Sequence, residues 1–361
     1  MMERGERAVW AALASDLTFG ARHFAQLRSV GIPLRELWTV STGERITLGV
    51  EPGLAEHVER IKAAVEPDET LDKLESSGVT FLTVEDEAYP ALLKEIAVPP
   101  AVLYVRGVIP AGPAIAVVGT RKMTTYGKRA TDDLVSVLAR TGITIVSGLA
   151  LGVDGAAHRA TLAAKGRTVA VLPSGIDAVY PASHRFLANE IIKQAGAVIT
   201  EFPPGTAALQ HHFPVRNRII AGMSQATVVI EAAIQSGSLL TARSALEANR
   251  DVFAVPGSIY SPLSAGPHHL IQLGAKLVHS AEDLLVETGL AHAGEEAAVR
   301  EVIPDSAEEA ALLDVLGPEP LLVDDLIAAV QLDPQVTLST LTLMEMKGRV
   351  RNLGGNQYVR R

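Results

Sequence analysis

Five apolar runs in the middle of the chain each end in a segment that contains glycine together with hydroxyl, acidic or basic side chains. The first run ends in Gly119, Thr120 and Arg121. Glycine lets backbone N–H groups approach an anion closely, and a following helix adds the positive end of its dipole. A single loop of this kind is most simply a tight strand–helix turn, whereas five along one chain favour an anion-binding groove. The other four are SGLALGVDGAAH, PSGID, TEFPPG and EAAIQSGSLLTA, which begin at residues 147, 173, 200 and 231.

The motifs that are absent narrow the choice of anion. A phosphate loop needs G-x-x-x-x-G-K-[ST] and a dinucleotide-binding loop needs G-x-G-x-x-G after its first strand, and this sequence has neither. ATP hydrolysis and NAD binding are therefore disfavoured. Basic side chains strung along glycine loops suit a nucleic-acid strand better than a mononucleotide, although any one of them could be a solvated surface charge. These side chains are Arg121, Lys122, Lys128, Lys165, Arg167, Arg216 and Arg218.

The residues that could catalyse a reaction show no spacing typical of a nucleophile or a metal site. We therefore predict no catalytic residue, no metal and no cofactor. Asp154 and His158 lie four residues apart, on one face of a predicted helix. They are either a base and its orienting partner or, as we favour, a helix cap and a structural histidine. The full set of candidates is Asp154, His158, Glu201, His211, His212 and Glu231.

The elements that must position these residues form an alternating pattern. From residue 114 onward, buried apolar strands alternate with helical stretches at 126–140, 153–165, 183–195, 240–249 and 266–273. This alternation predicts an α/β fold, an extended Rossmann-like doubly wound parallel sheet, which binds ligands outside the carboxyl ends of its strands. Arg216 and Arg218 flank Asn217 in FPVRNRIIAG, and they either line that edge or form internal salt bridges.

The flanking segments predict two smaller domains. Residues 1–65 have helical spacing similar to SAM or helix-hairpin-helix modules, and residues 66–290 hold the Rossmann-like domain. Residues 291–306 are rich in alanine and glutamate and form a predicted linker. Residues 307–361 predict a winged helix, with its wing in GRVRNLGGNQYVR. The basic residues of this domain come late, which favours DNA contact by the wing over groove reading by the helix. They are Lys347, Arg349, Arg351, Arg360 and Arg361.

The charge distribution matters more than the net charge of −9. Residues 114–290 carry 15 basic and 12 acidic side chains, whereas the segments on either side are acidic. A local basic surface is sufficient to bind phosphates. The absence of cysteine excludes disulfides and thiolate zinc sites. The sequence has no apolar run long enough to span a membrane and its N-terminus does not read as a secretory signal, so we expect a soluble cytoplasmic protein with no membrane partner.

Several segments taken together resemble the DprA/Smf family, the DNA-processing proteins of bacterial transformation. The resemblance covers roughly residues 110–285 and rests on VVGTR, SGLALGVDGAAH, TEFPPG, FPVRNRIIAG, EAAIQSGSLLTA and GPHHLIQLGAKLV. It implies that the protein binds and protects single-stranded DNA. It further implies loading of RecA recombinase past single-strand-binding protein, in natural transformation and recombination. It also implies a homodimer.

The resemblance also implies roles for particular residues. Those it implies for DNA binding are Gly119, Thr120, Arg121, Ser147, Gly148, Lys165 and Gly175. We add Arg216 and Arg218 to the predicted DNA contacts from their place in FPVRNRIIAG. Those expected in the dimer interface are His268, Ile271 and Leu277, around the last helix and strand of the core.

Two alternatives stay open at this point. One is an enzyme on small phosphorylated nucleotides, such as a phosphoribohydrolase. Such enzymes use a P-G-G-x-G-T-x-x-E loop, and EAAIQSGSLLTA stands in its place without the catalytic glutamate. The other is a DNA-binding regulator that acts through the winged helix.

Overall fold

A computed structural model describes residues 2–291, 306–317, 320–330, 332–346 and 350–360. The chain divides into two compact units, Met1–Ala291 and His292–Arg361. The predicted linker lies almost wholly outside the described residues, as do Lys347, Arg349 and Arg361 of the predicted basic wing. Within the described ranges, no helix is both long and apolar enough to cross a membrane.

The first unit is built on a nine-stranded sheet, with strand order β1-β2-β6-β5-β4-β3-β7-β8-β9. The strands from β3 onward pair in parallel with one another, which confirms the predicted Rossmann-like core. Strands β1 and β2 run antiparallel and extend the sheet beyond β6. The strands are β1 Thr80–Thr83, β2 Val102–Gly107, β3 Ala114–Val118, β4 Thr144–Ser147, β5 Thr168–Val171, β6 Ala197–Thr200, β7 Ala226–Val229, β8 Asp251–Ala254 and β9 Lys276–Leu277.

Helices cover both faces of this sheet and also form the N-terminal part of the unit. They are α1 Arg4–Ala14, α2 Ala21–Ser29, α3 Leu34–Thr39, α4 Thr42–Thr47, α5 Pro52–Ala64, α6 Pro67–Ser76, α7 Ala91–Lys94, α8 Thr125–Arg140, α9 Val153–Ala163, α10 Arg185–Lys193, α11 His212–Gly222, α12 Gly237–Glu247, α13 Ala265–Gln272 and α14 Ala281–Glu287.

Strand β3 shows why the central runs are apolar at every position. Side chains of a strand alternate between its two faces. Ile115 and Val117 pack with residues of α8 and α9 on one face, whereas Ala116 and Val118 pack with α11 and α12 on the other. All five residues of β3 are buried. A parallel sheet covered on both faces requires such continuous apolar strands.

The N-terminal helices belong to the same compact unit as the sheet. Their apolar residues form one buried cluster with Phe81 and Tyr104 of the first two strands. The hydroxyl of Tyr104, itself buried, donates a hydrogen bond to the carbonyl oxygen of Ala14 at the end of α1 (3.1 Å). The helices continue past residue 65, since α6 ends at Ser76. The predicted boundary at residue 65 stays a prediction.

The second unit contains α15 Ala307–Val315, β10 Leu321–Leu322, α16 Val323–Val330, α17 Pro334–Met346, β11 Val350–Gly354 and β12 Gln357–Arg360. The three strands form one sheet in the order β10-β12-β11. Gly354 has a positive φ of 89° and Gly355 of 62° at the turn of the β11–β12 hairpin. The helices and the hairpin agree with the predicted winged helix.

The tyrosine that joins α1 to the sheet permits a test of this packing. In Tyr104→Phe the carbonyl of Ala14 loses its donor inside the protein, and we expect the free energy of unfolding to fall by about 1 kcal/mol. Guanidinium denaturation followed by circular dichroism would measure this loss. Tyr260→Phe is the control, because Tyr260 is 90% exposed. Equal stability of the two variants would contradict the assigned hydrogen bond.

Candidate nucleic-acid interface

A cavity of about 800 Å³ opens at the carboxyl edge of the parallel strands. Its walls come from the loop after β3, the first turns of α11 and the start of α12. The lining residues include Gly119, Thr120, Arg121, Lys122, Tyr180, Gln210, Phe213, Arg216, Asn217, Ser236, Gly237 and Ser238. The cavity therefore lies where the topology of a doubly wound sheet places ligands.

Arg121 lies at this cavity with its side chain exposed. Its guanidinium lies over the ring of Phe213, 4.8 Å from the centroid. Tyr180 packs edge-on against the same ring, with centroids 5.6 Å apart. Among the described residues, no carboxylate forms an ion pair with Arg121. Its charge is therefore available to a ligand, and the aromatic ring limits the orientations of the guanidinium.

The loop that carries Arg121 is held by Glu231, which follows β7. The backbone N–H of Thr120 donates to the carbonyl oxygen of Glu231 (2.6 Å). The carboxylate of Glu231 accepts from the backbone N–H of Thr124 (2.8 Å) and from its hydroxyl (2.6 Å). Thr124 is the N-cap of α8 and accepts from the N–H of Gly127. The N-cap of α8 is therefore bound to a carboxylate of the protein itself, which fills the space against the first turn of the helix.

A second carboxylate occupies the loop after β4. The N–H of Gly148 donates to Oδ2 of Asp154 (3.1 Å), and the guanidinium of Arg216 donates to the carbonyl oxygens of Gly148 (2.6 Å) and Val171 (2.5 Å). Burial raises the pKa of Asp154, and the nearby Arg216 opposes that rise. Burial lowers the pKa of Arg216 to about 10, so its guanidinium stays charged at neutral pH. Arg216 thus holds the ends of β4 and β5 together from within the protein.

His158 does not pair with Asp154. The hydroxyl of Thr168 donates to the carbonyl oxygen of Ile145 (2.6 Å), so it accepts from Nδ1 of His158 (2.7 Å). Burial lowers the pKa of His158 to about 3, which keeps the imidazole neutral. These contacts favour the structural histidine over the base–orienter pair.

The remaining predicted DNA contacts lie in different surroundings. The hydroxyl of Ser147 is buried and donates to the carbonyl oxygen of Val117 (2.7 Å). Arg218 donates to the carbonyl oxygen of Val98 (2.7 Å) and forms an ion pair with Glu201. Lys165 lies between α9 and β5, at the amino end of the strand, so the structure does not bring it together with Arg121. Gly175 approaches the carbonyl of Pro203, and its neighbour Asp177 accepts from the N–H of Gly205.

The residues predicted for the dimer interface lie at one end of the sheet. Leu277 belongs to β9, the edge strand, and is 52% exposed. Ile271 is partly buried against the core. The ring of His268 lies 3.1 Å from the carbonyl oxygen of Gly257. Their role between two copies of the chain stays a prediction.

Comparison with known proteins agrees with this geometry. The model of the DNA recombination-mediator protein A family matches residues 80–289, which include every strand around the cavity. The chain belongs to this family. A model of the DprA winged helix domain matches residues 296–356, the second unit.

Individual members of the DprA family give the same result. The chain is 44% identical to DNA processing protein DprA of Bacillus subtilis over 213 residues, which are 58% of this chain and 71% of that protein. Protein Smf of Escherichia coli is also 44% identical, over 59% of this chain and 57% of its own length. The X-ray structure of DprA from Streptococcus pneumoniae superposes with a TM-score of 0.66 and 33% identity, covering 79% of this chain and 98% of that one.

The family resemblance alone did not single out the aromatic residues of the cavity. Phe213 and Tyr180 were missed because each stands beside a proline in a loop-like segment, where no periodicity marks it. Helix α11 was also missed. Its residues are buried around most of its circumference, so the sequence FPVRNRIIAG shows no amphipathic stripe. The signal that the sequence offered for Tyr180 was an aromatic residue between two glycine-bearing segments, PSGID and TEFPPG.

The close packing around Arg216 gives a stability prediction. A Cβ at residue 148 would lie 2.2 Å from the Arg216 guanidinium, so Gly148→Ala forces that buried group to move. We expect a loss of about 1–3 kcal/mol in the free energy of unfolding. Urea denaturation would measure it. Gly237→Ala is the control, since a Cβ there meets nothing within 4 Å. A Gly148→Ala protein as stable as this control would contradict the assigned packing.

Proposed function

We propose that this chain binds single-stranded DNA at the carboxyl edge of its nine-stranded sheet, with Arg121 as a principal phosphate contact. The observation that carries the proposal is the hydrogen bonding of the three arginines predicted to contact DNA. Arg216 and Arg218 are bound by groups of the protein, whereas Arg121 lies exposed over an aromatic ring. A free cation beside aromatic side chains suits a strand that offers both phosphates and unpaired bases.

Family membership supports this ligand. The structure of DNA processing protein A from Helicobacter pylori, described for its single-stranded DNA binding mode, superposes with a TM-score of 0.52 and 28% identity. It covers 58% of this chain and 96% of that one. That protein therefore shares with this chain the fold that forms the cavity.

We further propose the cellular role that the family resemblance implies. The chain would protect incoming single strands and help to load RecA onto them past single-strand-binding protein, in natural transformation and recombination. In this role it binds DNA without catalysing a reaction on it. The winged helix is proposed as a secondary element. Its helix α17, at the position of a recognition helix, contains no lysine or arginine, and long-range attraction to phosphates depends on such charges.

The DNA site can be tested by removing its free cation. We expect Arg121→Ala to weaken binding to a single-stranded oligonucleotide about tenfold or more, because one charged hydrogen bond to a phosphate is lost. The slope of log K against log salt should fall by about 0.7, the value for one phosphate contact on a single strand. Fluorescence anisotropy across a salt series measures both quantities.

Arg129→Ala is the matched control for this test. It removes the same charge from α8, but Arg129 is highly exposed and pairs with Asp133 on the helix surface. Its affinity should stay close to that of the unmodified chain. If Arg121→Ala and Arg129→Ala bind alike, Arg121 is not a DNA contact and the proposed site is wrong.

The proposed homodimer can be tested at the edge strand. Leu277→Glu places a charge where two copies would bury an apolar side chain, and we expect the dimer to dissociate to monomers. Light scattering over a concentration series measures the mass. Val108→Glu is the control, because Val108 is 66% exposed and follows β2, far from β9 in the strand order. A Leu277→Glu protein that stays dimeric would place the interface elsewhere.

A further inference from the structure

The loop between β3 and α8 is attached at both ends to one residue that follows another strand. Thr120, at its start, donates through its N–H to the carbonyl oxygen of Glu231. Thr124, at its end, donates through its N–H and its hydroxyl to the carboxylate of the same residue. Arg121 lies between these two attachments. The conformation of the segment that presents Arg121 is therefore set by Glu231, more than a hundred residues away in sequence.

Glu231 itself has little freedom to move. It is 2% exposed, and the residue before it, Ile230, is held to β3 because its N–H donates to the carbonyl oxygen of Val118. A Cβ at Gly127 would lie 2.1 Å from Oε2 of Glu231, so the carboxylate fills the space against the first turn of α8. The carboxylate is thus enclosed at the one helix terminus where a Rossmann-like protein would hold the phosphate of a cofactor.

We propose that Glu231 is a positioning residue for DNA binding. Its carboxylate takes the place of a bound phosphate at the N-terminus of α8 and fixes the loop so that Arg121 extends over Phe213 toward the cavity. This role rests on the proposed binding of single-stranded DNA at that cavity. It also explains why the loop needs no G-x-G-x-x-G pattern, since the N–H groups of Thr120, Lys122 and Thr124 bond to the protein and do not wrap a pyrophosphate.

The proposal predicts that removing the negative charge of Glu231 weakens DNA binding, which is opposite to the change that electrostatic repulsion alone predicts. Neutralising a carboxylate near a DNA site ordinarily strengthens binding, because repulsion of the phosphates is removed. Glu231→Gln instead leaves one carbonyl oxygen for the two donors of Thr124, its N–H and its hydroxyl, so one of the two hydrogen bonds that the carboxylate accepts is lost. We therefore expect the loop to lose its fixed conformation and DNA affinity to fall despite the gain in positive charge.

Thr124 offers a second way to break the same attachment without altering a buried charge. Thr124→Val removes the hydroxyl that bonds Glu231 and accepts from the N–H of Gly127, whereas Thr124→Ser retains both contacts. We expect Thr124→Val to lose affinity and Thr124→Ser to keep it. This pair keeps the proposal testable if Glu231→Gln fails to fold.

The experiment measures single-stranded oligonucleotide affinity by anisotropy on the full chain, with Glu231→Gln, Arg121→Ala and the double variant, alongside the two Thr124 variants. We expect Glu231→Gln to weaken binding about fivefold, and to add less than about twofold in the Arg121→Ala background, because the two residues act as one unit. Asp133→Asn is the control, since it removes one negative charge from an exposed position on α8. Its affinity should be unchanged or slightly higher.

Each outcome decides between the possibilities. Tighter or equal binding by Glu231→Gln, with Thr124→Val also silent, overturns the positioning role while Arg121→Ala still reports on the site. A full additional loss in the Arg121→Ala background shows that Glu231 acts independently of Arg121, which also overturns the proposal. If Arg121→Ala binds normally, the proposed DNA site itself is wrong.

Discussion

The buried guanidinium of Arg216 is the interaction on which the ligand edge of the sheet depends. It connects the carbonyl oxygens that end β4 and β5 and lies beside the carboxyl group of Asp154, which in turn binds the N–H of Gly148. A buried charge is costly unless it is paired and hydrogen-bonded. Here both groups have partners, and the result is a rigid junction between two strands from which the neighbouring loops extend.

The same arrangement recurs along the carboxyl edge of the sheet with other carboxylates. Glu231 binds the start of α8, and Asp177 binds the N–H of Gly205 after β6. In each case an acidic side chain of the protein satisfies amides that a nucleotide-binding relative of the fold would offer to its ligand. In the proposed site, affinity for an anion then depends on side-chain cations such as Arg121. A surface of this kind can follow a strand of variable conformation, because it does not enclose one phosphate group.

The sequence allowed the core strands, the N-terminal helices and the winged helix to be predicted, since apolar strands of a two-sided sheet, helical spacing and glycine turns are local signals. It did not reveal that β2 pairs antiparallel with β6 and β1 antiparallel with β2, because strand direction at that edge depends on contacts between distant segments. It identified Arg121 correctly as lying at the ligand edge. It could not separate Arg121 from Arg216, since burial of Arg216 depends on Gly148 and Val171, and neither residue marks it in the sequence.

The far edge of the sheet has a consequence for how two chains could meet. Strand β9 contains only two residues, Lys276 and Leu277. So short an edge offers few free backbone N–H and C=O groups, which protects the protein against open-ended addition of strands from other molecules. Association at this edge would therefore rest on side chains of α13 and β9 more than on the pairing of strands.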